Sequence, residues 1–111
     1  MMINAQKLDR IMIDLGHREN ILGTGYIRHG IMLYDKGVRC MTKELYPAIA
    51  KEVGSTASRV ERAMRHSITT AWVRGDIELQ GRLFGFTIDP GRGAPTVGEY
   101  LARVARVCHE D

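Results

Sequence analysis

Cysteine is scarce. Only Cys40 and Cys108 occur in 111 residues, far apart and with no CxxC partner, so neither a disulfide framework nor a redox or zinc motif is offered. Both are expected as free thiols in a reducing compartment. Long apolar runs are missing too: nothing approaches the ~20 apolar residues needed to cross a bilayer, and Met1 to Leu15 lack the apolar stretch of a signal peptide. A membrane role therefore has nothing to rest on, and the cytoplasm is the expected location. Charge of one sign is not in large excess. Sixteen Lys and Arg against thirteen Asp and Glu leave +3, which favours a local basic patch over a generally cationic, membrane-seeking surface.

Catalytic and metal signatures are absent as well. His17, His29, His66 and His109 show neither HExxH nor a Cys/His spacing suited to zinc, so no metal is expected. The stretch GTGYIRHG, Gly23 to Gly30, lacks the GxGxxG spacing and follows no strand; its glycines read as turn formers. No Ser or Cys has a base and an orienting group in a recognisable arrangement. Neither a cofactor nor enzymatic activity is expected.

What the chain does contain is ordinary globular composition, 44% apolar and 26% charged, with no low-complexity tract or internal repeat. Its length suits one domain, taken as residues 1–111. Apolar residues recur at three and four, and no stretch sustains the alternation of strands, so the fold is expected to be all-α with about six helices. Leu8, Ile11, Met12 and Leu15 line a first helix capped by Asn4 and ended by Gly16. Tyr26, Ile27, Ile31 and Tyr34 mark a second. Thr42 is the expected cap of a third, carrying Leu45, Ile49, Ala50 and Val53, with Pro47 near its first turn and Gly54 closing it. Ser55 or Thr56 caps a long fourth helix that runs to Gly75, and Asp76 caps a short fifth with Ile77, Leu83 and Phe84. The Gly/Pro-rich segment GFTIDPGRGAPT reads as a loop, with brief extended character at Phe86 to Ile88. Thr96 and Glu99 then have the spacing of a capping box ahead of Tyr100, Leu101, Val104 and Val107.

The third and fourth helices are separated by a short turn containing Gly54, which is how a helix-turn-helix is built, here about residues 43–75. On the fourth helix Val60, Met64, Ile68 and Ala71 share one side. Arg59, Arg62 and His66 share the other, with Ser58, Arg65 and Thr69 beside them and Glu61 at the boundary. An Arg-rich face is ordinarily solvated surface. Following a tight glycine turn, however, it has the shape of a helix that enters the major groove, where Arg pairs with both guanine acceptors and Glu accepts from cytosine N4. The cluster contains no lysine, and Arg is the residue suited to bidentate contacts. Trp72 and Met64 read as core filler, and Arg92 in the GRG loop reads as a phosphate contact or a solvated turn.

The run LYPAIAKEVGSTASRVERAMRHSITTAWVRGD, Leu45 to Asp76, resembles the C-terminal DNA-binding domain of stage zero sporulation protein A, the response regulator of endospore formation. The similarity extends to Leu15, Gly16, Gly23, Tyr26 and Arg28 upstream, and to LFGFT (Leu83 to Thr87) and APT (Ala94 to Thr96) downstream. The resemblance implies a six-helix effector domain whose fourth helix reads a box similar to TGTCGAA on double-stranded DNA, as a tandem pair of domains. Carried over residue by residue, it implies DNA contacts by Ser58, Arg59, Glu61, Arg62, Arg65 and His66. It also implies contact between the region after this helix and the sigma factor of RNA polymerase, here Leu79, Gly81 and Phe84.

The departures bear on that reading. No receiver domain precedes the helices, so the chain reads as a free-standing effector or an excised fragment. The segment DKGVRCMT, Asp35 to Thr42, is a few residues shorter than the family pattern. Leu79 and Gly81 stand where small hydroxyl residues are expected, and Phe84 is also a candidate core residue. A second reading follows: an interaction module that modulates a full-length regulator or RNA polymerase by titration. The Arg59, Arg62, Arg65 and Glu61 set favours the DNA reader, since a titrator needs no groove-reading side chains.

Overall fold

A computed structural model describes residues 3–85 and 93–109. Among these the chain forms six α-helices: α1 (Ala5–Asp14), α2 (Leu22–Asp35), α3 (Tyr46–Val53), α4 (Ala57–Arg74), α5 (Ile77–Phe84) and α6 (Val97–His109). No strand occurs among the described residues. Phe86 to Ile88 and Arg92, for which sequence suggested extended character and a phosphate contact, lie outside them.

Helix starts follow local hydrogen-bond chemistry, because the first backbone N–H groups need acceptors. The Asn4 side chain accepts from the Gln6 and Lys7 amides, that of Asp76 from Glu78 and Leu79, and that of Thr56 from Arg59 at 3.2 Å. Thr96 and Glu99 form the expected reciprocal box: Thr96 N donates to Glu99 Oε1 (3.0 Å) and Glu99 N to Thr96 Oγ1 (3.2 Å). Of the two cap candidates before α4, Thr56 is the one used.

Two expectations are corrected. Thr42 is not a cap. It lies inside a π-helical turn, Met41–Leu45, whose wider winding leads directly into α3 with no side-chain cap at either junction. The glycines of GTGYIRHG do not shape a turn; they lie inside α2. There the lack of a side chain serves packing: a Cβ on Gly23 would sit 2.0 Å from the Ala63 carbonyl oxygen of α4, so α2 reaches α4 this closely only through glycine. Between α3 and α4 the redirecting residue is Gly54, at φ 70°, a left-handed conformation that costs glycine little.

The core is continuous through Leu8, Met12, Ile27, Ile31, Leu45, Ile49, Val60, Met64, Ile68, Phe84, Tyr100, Leu101 and Val104. Helix α2 is its axis, packing chiefly on α4 and α6, while α3 packs on α4. One polar cluster is sealed inside. His17, in the α1–α2 connection, places Nε2 2.7 Å from the Tyr100 hydroxyl of α6 and Nδ1 3.1 Å from the Ser67 hydroxyl on the back of α4. A neutral imidazole offers one donor and one acceptor, and each hydroxyl can take either role. Burial lowers the His17 pKa from 6.5 to about 4. The ring is therefore neutral at pH 7, and α4 is tied from behind to two other parts of the chain.

Candidate nucleic-acid interface

Helix α4 has 18 residues, about 27 Å of rod at 1.5 Å per residue. Val60, Met64 and Ile68 are essentially sealed, and Ser67 and Ala71 are buried beside them. On the opposite side Ser58, Arg59, Arg62, Arg65, His66 and Thr69 are all exposed. At ~100° per residue these six occupy an arc of roughly 120°, with Glu61 just beyond its Arg65 edge. The structure thus brings together on one solvent face five of the six residues to which sequence assigned DNA contact, with the sixth, Glu61, half-buried at the edge of that face.

Polar geometry within the face is sparse. Arg65 Nη1 donates to Glu61 Oε1 at 2.8 Å, and Thr69 Oγ1 donates to the Arg65 carbonyl at 3.0 Å. The Glu61 side chain retains 28% exposure against 63% for Arg65. Glu61 is therefore engaged by its neighbour one turn on, as the i, i+4 spacing allows.

The face stands between two hollows. On one side the π turn, α3 and α4 enclose a space lined by Thr42, Tyr46, Ser58, Glu61 and Arg65. On the other, Ile21, Leu22 and Gly23 at the start of α2 border Arg59, Arg62, Ala63 and His66. The basic arc is in consequence a ridge with lower ground on both flanks. The α3–turn–α4 arrangement is compatible with a helix-turn-helix.

Helix α5 follows α4 after Gly75 and Asp76. Of its residues implied in polymerase contact, Gly81 is exposed and Leu79 is half-buried against the core. Phe84 is fully buried, stacked on Tyr100 at 5.2 Å and edge-on to Trp72 at 5.5 Å, so it has no surface to present to a partner. A ring of this size contributes most by leaving water, and here the core has claimed it. Gln80, which sequence did not single out, is buried and donates from Nε2 to the Trp72 carbonyl at 2.9 Å, joining α5 to the end of α4.

Among the described residues no group of three His, Cys, Asp or Glu side chains could hold a metal ion, and no helix is long and apolar enough to cross a membrane. Both cysteines are free, Cys40 exposed and Cys108 buried. Sequence reasoning missed the link from His17 to Ser67, since residues 50 positions apart carry no local signal of contact. It also missed the Glu61–Arg65 pair, placing Glu61 only as an acceptor at the boundary, although the i, i+4 spacing is the signal that could have found it.

A capped helix with a sealed apolar back and an exposed arginine front is an arrangement that a nucleic-acid reader can use. The family model described as sporulation initiation factor Spo0A C terminal matches residues 8–107, nearly the whole chain. The chain belongs to this family, the DNA-binding effector domains of the response regulator that initiates sporulation and regulates its transcription.

Proposed function

We propose that this domain is a sequence-specific reader of double-stranded DNA, with α4 entering the major groove and the N-terminal half of its exposed face meeting base edges. The observation that carries the reading is the exposed arc of Ser58, Arg59, Arg62, Arg65 and His66 on a helix whose opposite side is locked into the core. A helix with its side chains is ~10–12 Å across, and the major groove is ~12 Å wide. Hollows on both flanks of the ridge leave room for the groove walls. Arg59, Arg62 and Arg65 are suited to guanine O6 and N7, Glu61 to a cytosine amino group, and Ser58 and His66 to neighbouring bases or phosphates. The domain acts as one unit over residues 1–111, in the cytoplasm on the nucleoid, and binds tandem boxes as a pair. A gel shift with the family box against a scrambled duplex tests this. Equal retardation of both would refute base reading and leave only adhesion to phosphate.

Contact with the polymerase sigma factor is the second reading, and it is favoured by exposed apolar groups where α4 passes into α5. Val73 and Ile77 are 84% and 81% exposed. With Phe84 in the core, such a contact falls to these residues together with Leu79 and Gly81. Loss of transcriptional activation by Ile77→Asp with DNA affinity intact is the expected outcome.

A further inference from the structure

The basic arc has one group of the wrong sign for a polyanion, and that group is not loose. Glu61 is held at 2.8 Å by Arg65. It also lines the hollow against Tyr46, where burial chiefly raises the phenol's pKa, Glu61 raising it further and Arg65 lowering it. The Glu61 side chain is only 28% exposed, so its charge is less well hydrated than that of a fully exposed surface carboxylate when its partner leaves. We propose that Glu61 is a specificity-determining residue that works chiefly by exclusion: it withholds Arg65 from any duplex that offers Glu61 no donor of its own. This inference rests on the reading of α4 as the groove-entering helix.

The argument follows from donor and acceptor types. Arg65 spends one N–H donor on Glu61, and turning the whole guanidinium fork square to a phosphate or to a guanine edge loosens that bond. An ionised carboxylate accepts hydrogen bonds and gives none, and phosphate offers it nothing but repulsion. In the major groove the donors are the amino groups of cytosine and adenine. A duplex presenting an amino group to Glu61 in step with an acceptor for Arg65 replaces both ends of the broken pair. Any other duplex strands a half-buried charge beside the sugar-phosphate backbone. The penalty therefore falls on wrong sites, and discrimination arises from what they fail to supply.

The test measures anisotropy at fixed salt for the 111-residue chain and for Glu61→Gln, Arg65→Gln and the double variant, each on the cognate box and on a scrambled duplex. Glu61→Gln keeps the shape of the side chain and removes its charge. It is expected to tighten binding to the scrambled duplex roughly three- to tenfold and to lower the cognate-to-scrambled ratio. In the Arg65→Gln background the same substitution should give little gain, because no guanidinium remains to be released. A Glu61→Gln gain that persists at full size without Arg65 would overturn the proposal and make Glu61 a simple repeller of phosphate. No gain at all on the scrambled duplex would overturn it as well. If the unsubstituted chain binds both duplexes alike, base reading by α4 fails first and this inference fails with it, and the parent measurement alone reveals that.

Discussion

At the scale of single residues, two side chains carry separable consequences. Arg62 is exposed at the centre of the α4 arc, early in the helix, where a guanidinium can reach two acceptors on one guanine. Arg62→Ala should cost about 1–3 kcal/mol on the cognate box and much less on a scrambled duplex. Its thermal midpoint should hardly move, since no core contact is lost. Equal fractional losses on both duplexes would make Arg62 a backbone clamp and transfer base reading to Arg59 or Arg65. His17 has the opposite character, buried against the back of α4 and away from its exposed face. Its pKa of about 4 lies below the ordinary 6.5, so the unfolded chain binds the proton more readily. The corresponding stability is complete above pH 6.5 and is lost as pH falls from there toward 4, up to about 3 kcal/mol. An NMR titration of the His17 ring protons should show no midpoint near 6.5; finding one there would mean that the ring is solvated and the cluster with Ser67 and Tyr100 is open.

Among elements, the position of α4 depends on how closely α2 can approach it. Gly23 lies where a Cβ would sit 2.0 Å from the Ala63 carbonyl oxygen, a backbone atom that moves only if the helices part. Gly23→Ala should therefore destabilise the domain by about 1–3 kcal/mol, even though alanine is the better helix former. Gly25, two residues along the same helix, is the internal control: nothing lies within 4 Å of its added Cβ. Gly25→Ala should stabilise by up to about 1 kcal/mol through helix propensity alone. Chemical denaturation of the two variants gives opposite signs if the α2–α4 crossing is as described. Equal shifts would mean that propensity, not the crossing, governs both.

For the whole molecule, a formal charge of +3 is too small to hold DNA by its average field. What matters is that Arg59, Arg62 and Arg65 leave the same side of one helix. Binding should weaken steeply with salt, as phosphate contacts release counterions, by roughly one log unit in affinity per log unit of salt for each phosphate neutralised. Titrations between about 50 and 200 mM salt should show that slope; an affinity indifferent to salt would exclude a phosphate-lined interface.

Much of this is legible in the sequence alone. The apolar period of 3.6 residues, the caps at Asn4, Thr56 and Asp76, the capping box at Thr96 and Glu99 and the helix end at Gly54 are local, and each is decided within a few residues of backbone chemistry. The two faces of α4 follow from the same period. Tertiary structure decided what depends on distant partners. It sent Phe84 into the core against Tyr100 and Trp72, placed Gly23 at a helix crossing and wound Met41–Leu45 as a π turn with no use for a Thr42 cap. It also buried His17 between Ser67 and Tyr100. The physical reason is one of range. Helix periodicity and capping depend on neighbours three or four residues away, whereas burial and close approach depend on whichever side chains the rest of the chain delivers to the same point in space.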